Sequence, residues 1–207
     1  MSITAEPADI FLTKGRGFIS RGIRWFSQSI GEQRTQVNHV GIVVTPGTIH
    51  TAEVVEALSY VQKHPLWQAY GPPRNDDVSI YRPLNLDAAE KEQIIRVAKA
   101  QVGRSYGYMK IITHFLDWLL LGSYVFRRLT QDPHYPICSW LVAHAYAAAG
   151  KHFGVAPGAA QPDDIWDFVT GHPQTYQCIR PLTPLESLVA EDPGDRRDSL
   201  SPEVPLQ

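Results

Sequence analysis

The sequence predicts an α+β domain in which a small antiparallel sheet packs against helices. Three observations carry that prediction: a β-branched hairpin about Thr45 to Thr48, helical periodicity over Asp87 to Val102 and Cys138 to Ala149, and strands that do not alternate regularly with helices. The 207 residues suit one domain, and 43% apolar residues can fill one substantial core. Residues 1–186 are expected to form that domain. Residues 187–207, where Pro193-Gly194 and a charged run from Asp195 to Asp198 precede a Ser/Pro-rich end, are expected to be a disordered tail.

Asp9 to Thr13 is a short apolar run closed by Lys-Gly-Arg-Gly, the pattern of a buried strand followed by a turn. Over Phe18 to Ile30, Ile19, Ile23, Phe26 and Ile30 recur at helical steps, so a first helix is expected there. Asn38 to Val44 and Ile49 to Leu58 read as two strands joined at Thr45-Pro46-Gly47-Thr48. Val78 to Tyr81 and Tyr176 to Arg180 are further strands. Asp87 with Glu90 forms a capping box for a helix whose inner stripe is Ile94, Ile95, Ala98 and Val102, and Gly103 stops it. Leu141, Val142, Ala145, Ala148 and Ala149 give the next helix its apolar spacing, with Gly150 as terminator. Gln161-Pro-Asp-Asp-Ile-Trp opens a last helix whose first-turn acids suit the dipole.

Composition excludes several functions. With 19 basic and 21 acidic side chains there is no positive field for phosphate, so no nucleic-acid partner is expected. Two cysteines without a CxxC pair or an HExxH motif leave the usual zinc spacings unmet, and neither a metal nor another cofactor is expected. Met1 to Asp9 lacks the basic start and apolar run of a secretory signal. Ile111 to Phe126 contains His114 and Asp117 and is shorter than the roughly 20 apolar residues of a membrane span. A reducing cytoplasm follows as the expectation, with non-classical export or a phage origin giving the same pattern.

Cys138 begins a predicted helix, where unpaired N–H groups and the dipole favour a thiolate. Beside an imidazolium, such a position can lower a thiol pKa from about 8.5 to roughly 3.5 to 7.5. His39 opens the first hairpin strand, from which it can reach a helix end packed on the sheet, and imidazole is the side chain best suited to general-base work near neutrality. The competing interpretations are a buried apolar cysteine and one more hydrogen-bonded histidine among eight.

Five segments taken in order set these residues in a family context: Ala8-Asp9-Ile10-Phe11-Leu12-Thr13, Asn38-His39-Val40-Gly41-Ile42-Val43, Val54-Val55-Glu56-Ala57, Ile137-Cys138-Ser139-Trp140-Leu141-Val142 and Pro162-Asp163-Asp164-Ile165. This series resembles the circularly permuted papain-like cysteine hydrolases of the NlpC superfamily, in particular the branch of YiiX and YaeF, which is related to the lecithin retinol acyltransferase-like proteins. The resemblance spans residues 8–182. It implies a permuted papain-like fold with Cys138 as nucleophile, His39 as base and a third polar residue orienting the imidazole.

Hairpin geometry ranks the third member. A two-residue turn at Pro46-Gly47 pairs Thr45 with Thr48 and sets His39 opposite Val54. His50, Ala52, Val54 and Glu56 then share the face of His39, while Glu53 and Val55 point away. Glu56 lies on a diagonal of about 7 to 8 Å, which a long carboxylate can close. His50 is about 13 Å away along the strand, though it matches the His-to-His pattern of the acyltransferase-like branch. Glu56 is therefore the chosen orienter, with His50 and Glu53 as alternatives, and a bulge in the hairpin would upset the choice.

The backbone N–H of Cys138 is the expected oxyanion donor. Tyr135 and Asn38 are assigned to packing or capping, Ser139 receives no catalytic role, and Cys178 is read as a buried strand thiol. Gly15-Arg16-Gly17 is a turn rather than a phosphate loop, since no Gly-Lys-Ser/Thr follows it. Ile111 to Phe126 is read first as a core helix. Its alternative is an apolar lip for an acyl chain or a peripheral membrane contact. The functional expectation is a thiol hydrolase acting on a peptide amide or a lipid or acyl ester. A lipid-directed acyltransferase or thioesterase and a non-catalytic binding or virion module are the alternatives.

Overall fold

The structure, a computed structural model, describes residues 3–15, 36–58, 60–104 and 138–186. The predicted helix at Phe18 to Ile30, the segment Ile111 to Phe126, Tyr135 and the predicted tail lie outside them. The fold is α+β. Its strands are β1 (Thr4–Ala5), β2 (Ile10–Lys14), β3 (His39–Thr45), β4 (Gly47–Thr48), β5 (Glu53–Ala57), β6 (Val61–Pro65), β7 (Asp77–Pro83) and β8 (Tyr176–Pro184). Its helices are α1 (Leu66–Tyr70), α2 (Ala88–Ala100), α3 (Cys138–Ala147) and α4 (Pro162–Gly171). Six strands make one antiparallel sheet in the order β6-β5-β3-β2-β7-β8, and β1 pairs with β4 separately.

The central strands β2, β3 and β5 are buried along nearly their whole length because the sheet is covered on both faces. One cluster, with Ile10, Leu12, Val40, Ile42 and Val55, packs against Ile94, Leu141, Val142 and Ile165 from the helices. The opposite cluster contains Phe11, Val43, Val54, Leu66, Tyr70 and Ile80. Helix α2 carries the predicted capping box, with Asp87 accepting from the Glu90 N–H at 2.8 Å and Glu90 accepting from the Asp87 N–H at 2.9 Å. Gly103, at φ +90°, follows its end. Val102 is 44% exposed and not part of the inner stripe, because the chain has already turned out of the helix at Gln101. Eight of the ten residues of α3 are buried, and the helix packs on β3 and α2.

The hairpin register differs from expectation. Val54 faces Val43, not His39, and a bulge separates Val43 from Thr45. The connection is not a two-residue turn: Gly47–Thr48 leaves to pair with β1, and the Thr51 and Ala52 N–H groups bond back to Thr48. The second strand accordingly starts at Glu53 rather than Ile49. Cys178, on the edge strand β8, is exposed rather than buried.

Candidate active site

Three elements converge on one cluster. Strand β3 begins at His39, β5 carries Glu56, and α3 begins at Cys138. Val43 and His39 are an even number of residues apart on β3, as Val54 and Glu56 are on β5, so the pair Val43–Val54 puts His39 and Glu56 on the same face. Gly41, between His39 and Val43, leaves room on that face. A Cβ there would come within 2.6 Å of Cζ of Phe11 and 2.9 Å of the Val55 carbonyl. The Phe11 ring occupies this space, 6.4 Å from the His39 ring and 5.7 Å from the Tyr70 ring between centroids.

Nε2 of His39 donates to Oε2 of Glu56. The same imidazole hydrogen-bonds the Cys138 side chain, so Nδ1 is the nitrogen left for sulfur. The backbone N–H groups of Val40 and Ser139 also donate to that sulfur, one from the sheet and one from the first turn of α3. Cys138 is 6% exposed. Burial alone would raise its pKa, but the charge of His39 and these hydrogen bonds outweigh burial and lower it. Burial likewise works against a charged His39, and the neighbouring Cys138 and Glu56 charges reverse it, raising the imidazole pKa. Both shifts run in the direction that favours a thiolate beside an imidazolium.

Glu56 is fully buried. The Tyr70 hydroxyl donates to Oε2, and Nε2 of His64 lies 2.6 Å from Oε1 as an ion-pair contact whose hydrogen-bond alignment is poor. Burial pushes the carboxyl up, yet the charged His39 and the bonds from His39, His64 and Tyr70 bring it down to about 2. A buried ionised carboxylate needs such partners, since an unpaired one would carry a desolvation penalty of several kcal/mol.

Cys138, His39 and Glu56 are therefore brought together, whereas the two alternatives are not. His50 is exposed and packs on Trp67 with ring centroids 4.0 Å apart. Glu53 accepts from Thr45 at 2.6 Å and from Lys63 at 2.7 Å on the other face. Asn38 caps the end of β2, its Oδ1 accepting from the Gly15 N–H at 2.9 Å, and the Ser139 hydroxyl donates to the Ala160 carbonyl at 2.6 Å. His64 and Tyr70 are the members that sequence reasoning missed. Val61-Gln62-Lys63-His64 has no apolar alternation to mark a strand, and only the pairing of Val54 with His64 sets His64 on the face of Glu56.

The fold and this cluster define an α+β protein with a buried cysteine, histidine and glutamate in contact. Among solved structures, the metalloprotein YiiX from Escherichia coli O157:H7 is similar, with a TM-score of 0.52 at 19% identity over 72% of this chain and 69% of that one. The likeness establishes a YiiX-like fold. No protein-family model and no curated protein matches the chain.

YiiX is described as a metalloprotein. The donor set of this cluster does not fit a metal ion: His39 spends its two nitrogens on Glu56 and Cys138, and Oε2 of Glu56 accepts from both His39 and Tyr70. Among the described residues no group of three or more His, Cys, Asp or Glu is arranged to hold one. Nor, among those residues, is any helix long and apolar enough to cross a membrane.

Proposed function

We propose that this chain is a cysteine-dependent hydrolase of permuted papain-like type, an amidase or peptidase cleaving an amide or ester through an acyl-enzyme. The single observation that carries the reading is His39 bonded on one side to Cys138 and on the other to Glu56. Glu56 fixes the ring so that Nδ1 faces sulfur. The thiolate of Cys138 attacks the substrate carbonyl carbon, forming a C–S bond and an oxyanion. His39 then gives its proton to the departing amine or alcohol as the C–N or C–O bond breaks. Neutral His39 next takes a proton from water, the hydroxide attacks the thioester, and the thiolate leaves with the imidazolium restored.

The chain order His39, Glu56, Cys138 is the permuted order that the family resemblance implies. The support for an acyltransferase or thioesterase was the Ile111 to Phe126 segment, which is not among the described residues. A non-catalytic module would show an unreactive Cys138 or hold His39 and Cys138 too far apart for proton transfer; the proximity of the two side chains favours the catalytic reading. An unpaired nucleophilic thiol also goes with a reducing compartment.

The test is the rate of Cys138 alkylation by iodoacetamide between about pH 4 and 9 in a Cys178→Ser background, with His39→Ala as comparison. Reactivity persisting well below the ordinary thiol range and lost with His39 supports the reading. A simple thiol titration indifferent to His39 sinks it. Amide and ester substrates are then screened with Cys138→Ala as the inactive control.

A further inference from the structure

Charge balance inside the cluster points to a residue outside the triad. As thiolate and imidazolium, Cys138 and His39 cancel each other, which leaves the Glu56 anion uncompensated at a fully buried site. A second cation would balance it, and among the described residues one histidine is placed to do so. His64, whose side chain is 13% exposed, touches Oε1 of Glu56 at 2.6 Å from the outer side of the sheet.

The protonation of His64 can be read from its contacts. Its Nδ1 lies 3.0 Å from the Pro65 carbonyl, which can only accept, so Nδ1 carries a hydrogen. A neutral ring with that tautomer would leave a bare, electron-rich Nε2 only 2.6 Å from a carboxylate oxygen, a repulsive contact. The doubly protonated ring replaces that repulsion with an ion pair.

We infer that His64 is a positioning residue of the thiol pair, holding Oε1 of Glu56 and supplying the counter-charge that lets Glu56 orient His39 without opposing the thiolate. The inference rests on the reading of Cys138 and His39 as a reactive pair. Other groups about it do not take this part. Tyr70 from α1 is neutral, because burial and the Glu56 charge hold its hydroxyl protonated. His39 from β3 is committed to Cys138. Lys63, the neighbour of His64 on β6, binds Glu53 at 2.7 Å on the opposite face, and Arg74, 5.6 Å over the Tyr70 ring, binds Asp76 at 2.8 Å. Burial lowers the His64 pKa, but its bond to Glu56 and the Glu56 charge outweigh that and raise it.

The sign of the effect follows. Without the His64 charge, Glu56 stands unbalanced near the sulfur and disfavours the thiolate. His64→Gln in the full-length Cys178→Ser chain is expected to move the acid limb of Cys138 alkylation by iodoacetamide upward by about one pH unit, the order expected for one charge removed beside a buried cluster. The His39→Ala effect is retained. A purely structural His64 would lower stability and leave the limb in place, which overturns the inference. A wild-type thiol indifferent to His39 overturns instead the reading beneath it. Should His64→Gln fail to fold, ring 15N NMR of the wild-type protein decides: two protonated His64 nitrogens near pH 6 support the inference, and a neutral Nδ1–H tautomer there refutes it.

Discussion

Phe11 and Gly41 face each other across β2 and β3, and the phenyl ring fills the place where a Gly41 side chain would stand. The absence of a Cβ thereby lets an aromatic wall lie beside His39 and Tyr70. Gly41→Ala must push that ring or the Val55 carbonyl aside within a fully buried layer. We expect a loss of about 1 to 3 kcal/mol, the usual range for overpacking, in urea unfolding. Displacement of the ring should also loosen His39, so Cys138 alkylation near neutral pH should fall; unchanged stability would refute the close approach.

The Glu56 carboxyl is held at about 2 in the folded protein against 4.5 for its ordinary value. A group depressed in the folded state contributes stability that is present above the unfolded pKa and lost as pH falls through the folded one. Stability should therefore decline between about pH 4.5 and 2, by roughly 3 kcal/mol from this group. Urea midpoints measured across that range should be flatter with pH in Glu56→Gln than in the wild type. An equal slope in both would mean that Glu56 is not the ionised centre of the cluster.

Much of this site was legible because the signals are local or depend only on parity. Asp87 and Glu90 mark the start of α2 from four consecutive residues, and helical spacing marks α3. The choice of Glu56 survived a wrong register because Val54 pairs with Val43 rather than His39, an even displacement that leaves the face unchanged. An odd displacement would have favoured Glu53. The short helix α1 and strand β6 were not legible, since Leu58-Ser59-Tyr60 carries no Gly or Pro turn signal and β6 is a mostly polar edge strand. His64 and Tyr70 went unseen with them. The exposure of Cys178 depends on what packs over its face of β8, which no local pattern encodes.

Cys138→Ala should keep the fold, since a small apolar side chain replaces a thiol at the start of a buried helix. It should change His39. Burial opposes charge on that ring, and the Cys138 charge is the largest of the influences that overcome it, ahead of the Glu56 charge. The imidazole pKa should consequently fall in the variant, as read by 15N NMR. A His39 titration identical to that of the wild type would show that no thiolate stands beside it.

The two acidic candidates on β5 can be separated directly. Glu56→Gln removes the charge that orients His39 and permits the amide to turn either way, so Cys138 alkylation near neutral pH should drop by about tenfold or more. Glu53 faces the other side, where Thr45 and Lys63 bind it. Its partners lower its pKa, the Lys63 bond first, yet this half-exposed pair lies outside the buried cluster. Glu53→Gln should thus leave the alkylation profile in place and change stability by no more than about 1 kcal/mol, as exposed ion pairs do. If Glu53→Gln reproduced the loss seen with Glu56→Gln, the two carboxylates would have to share the face of His39, and the observed pairing of Val43 with Val54 would be wrong.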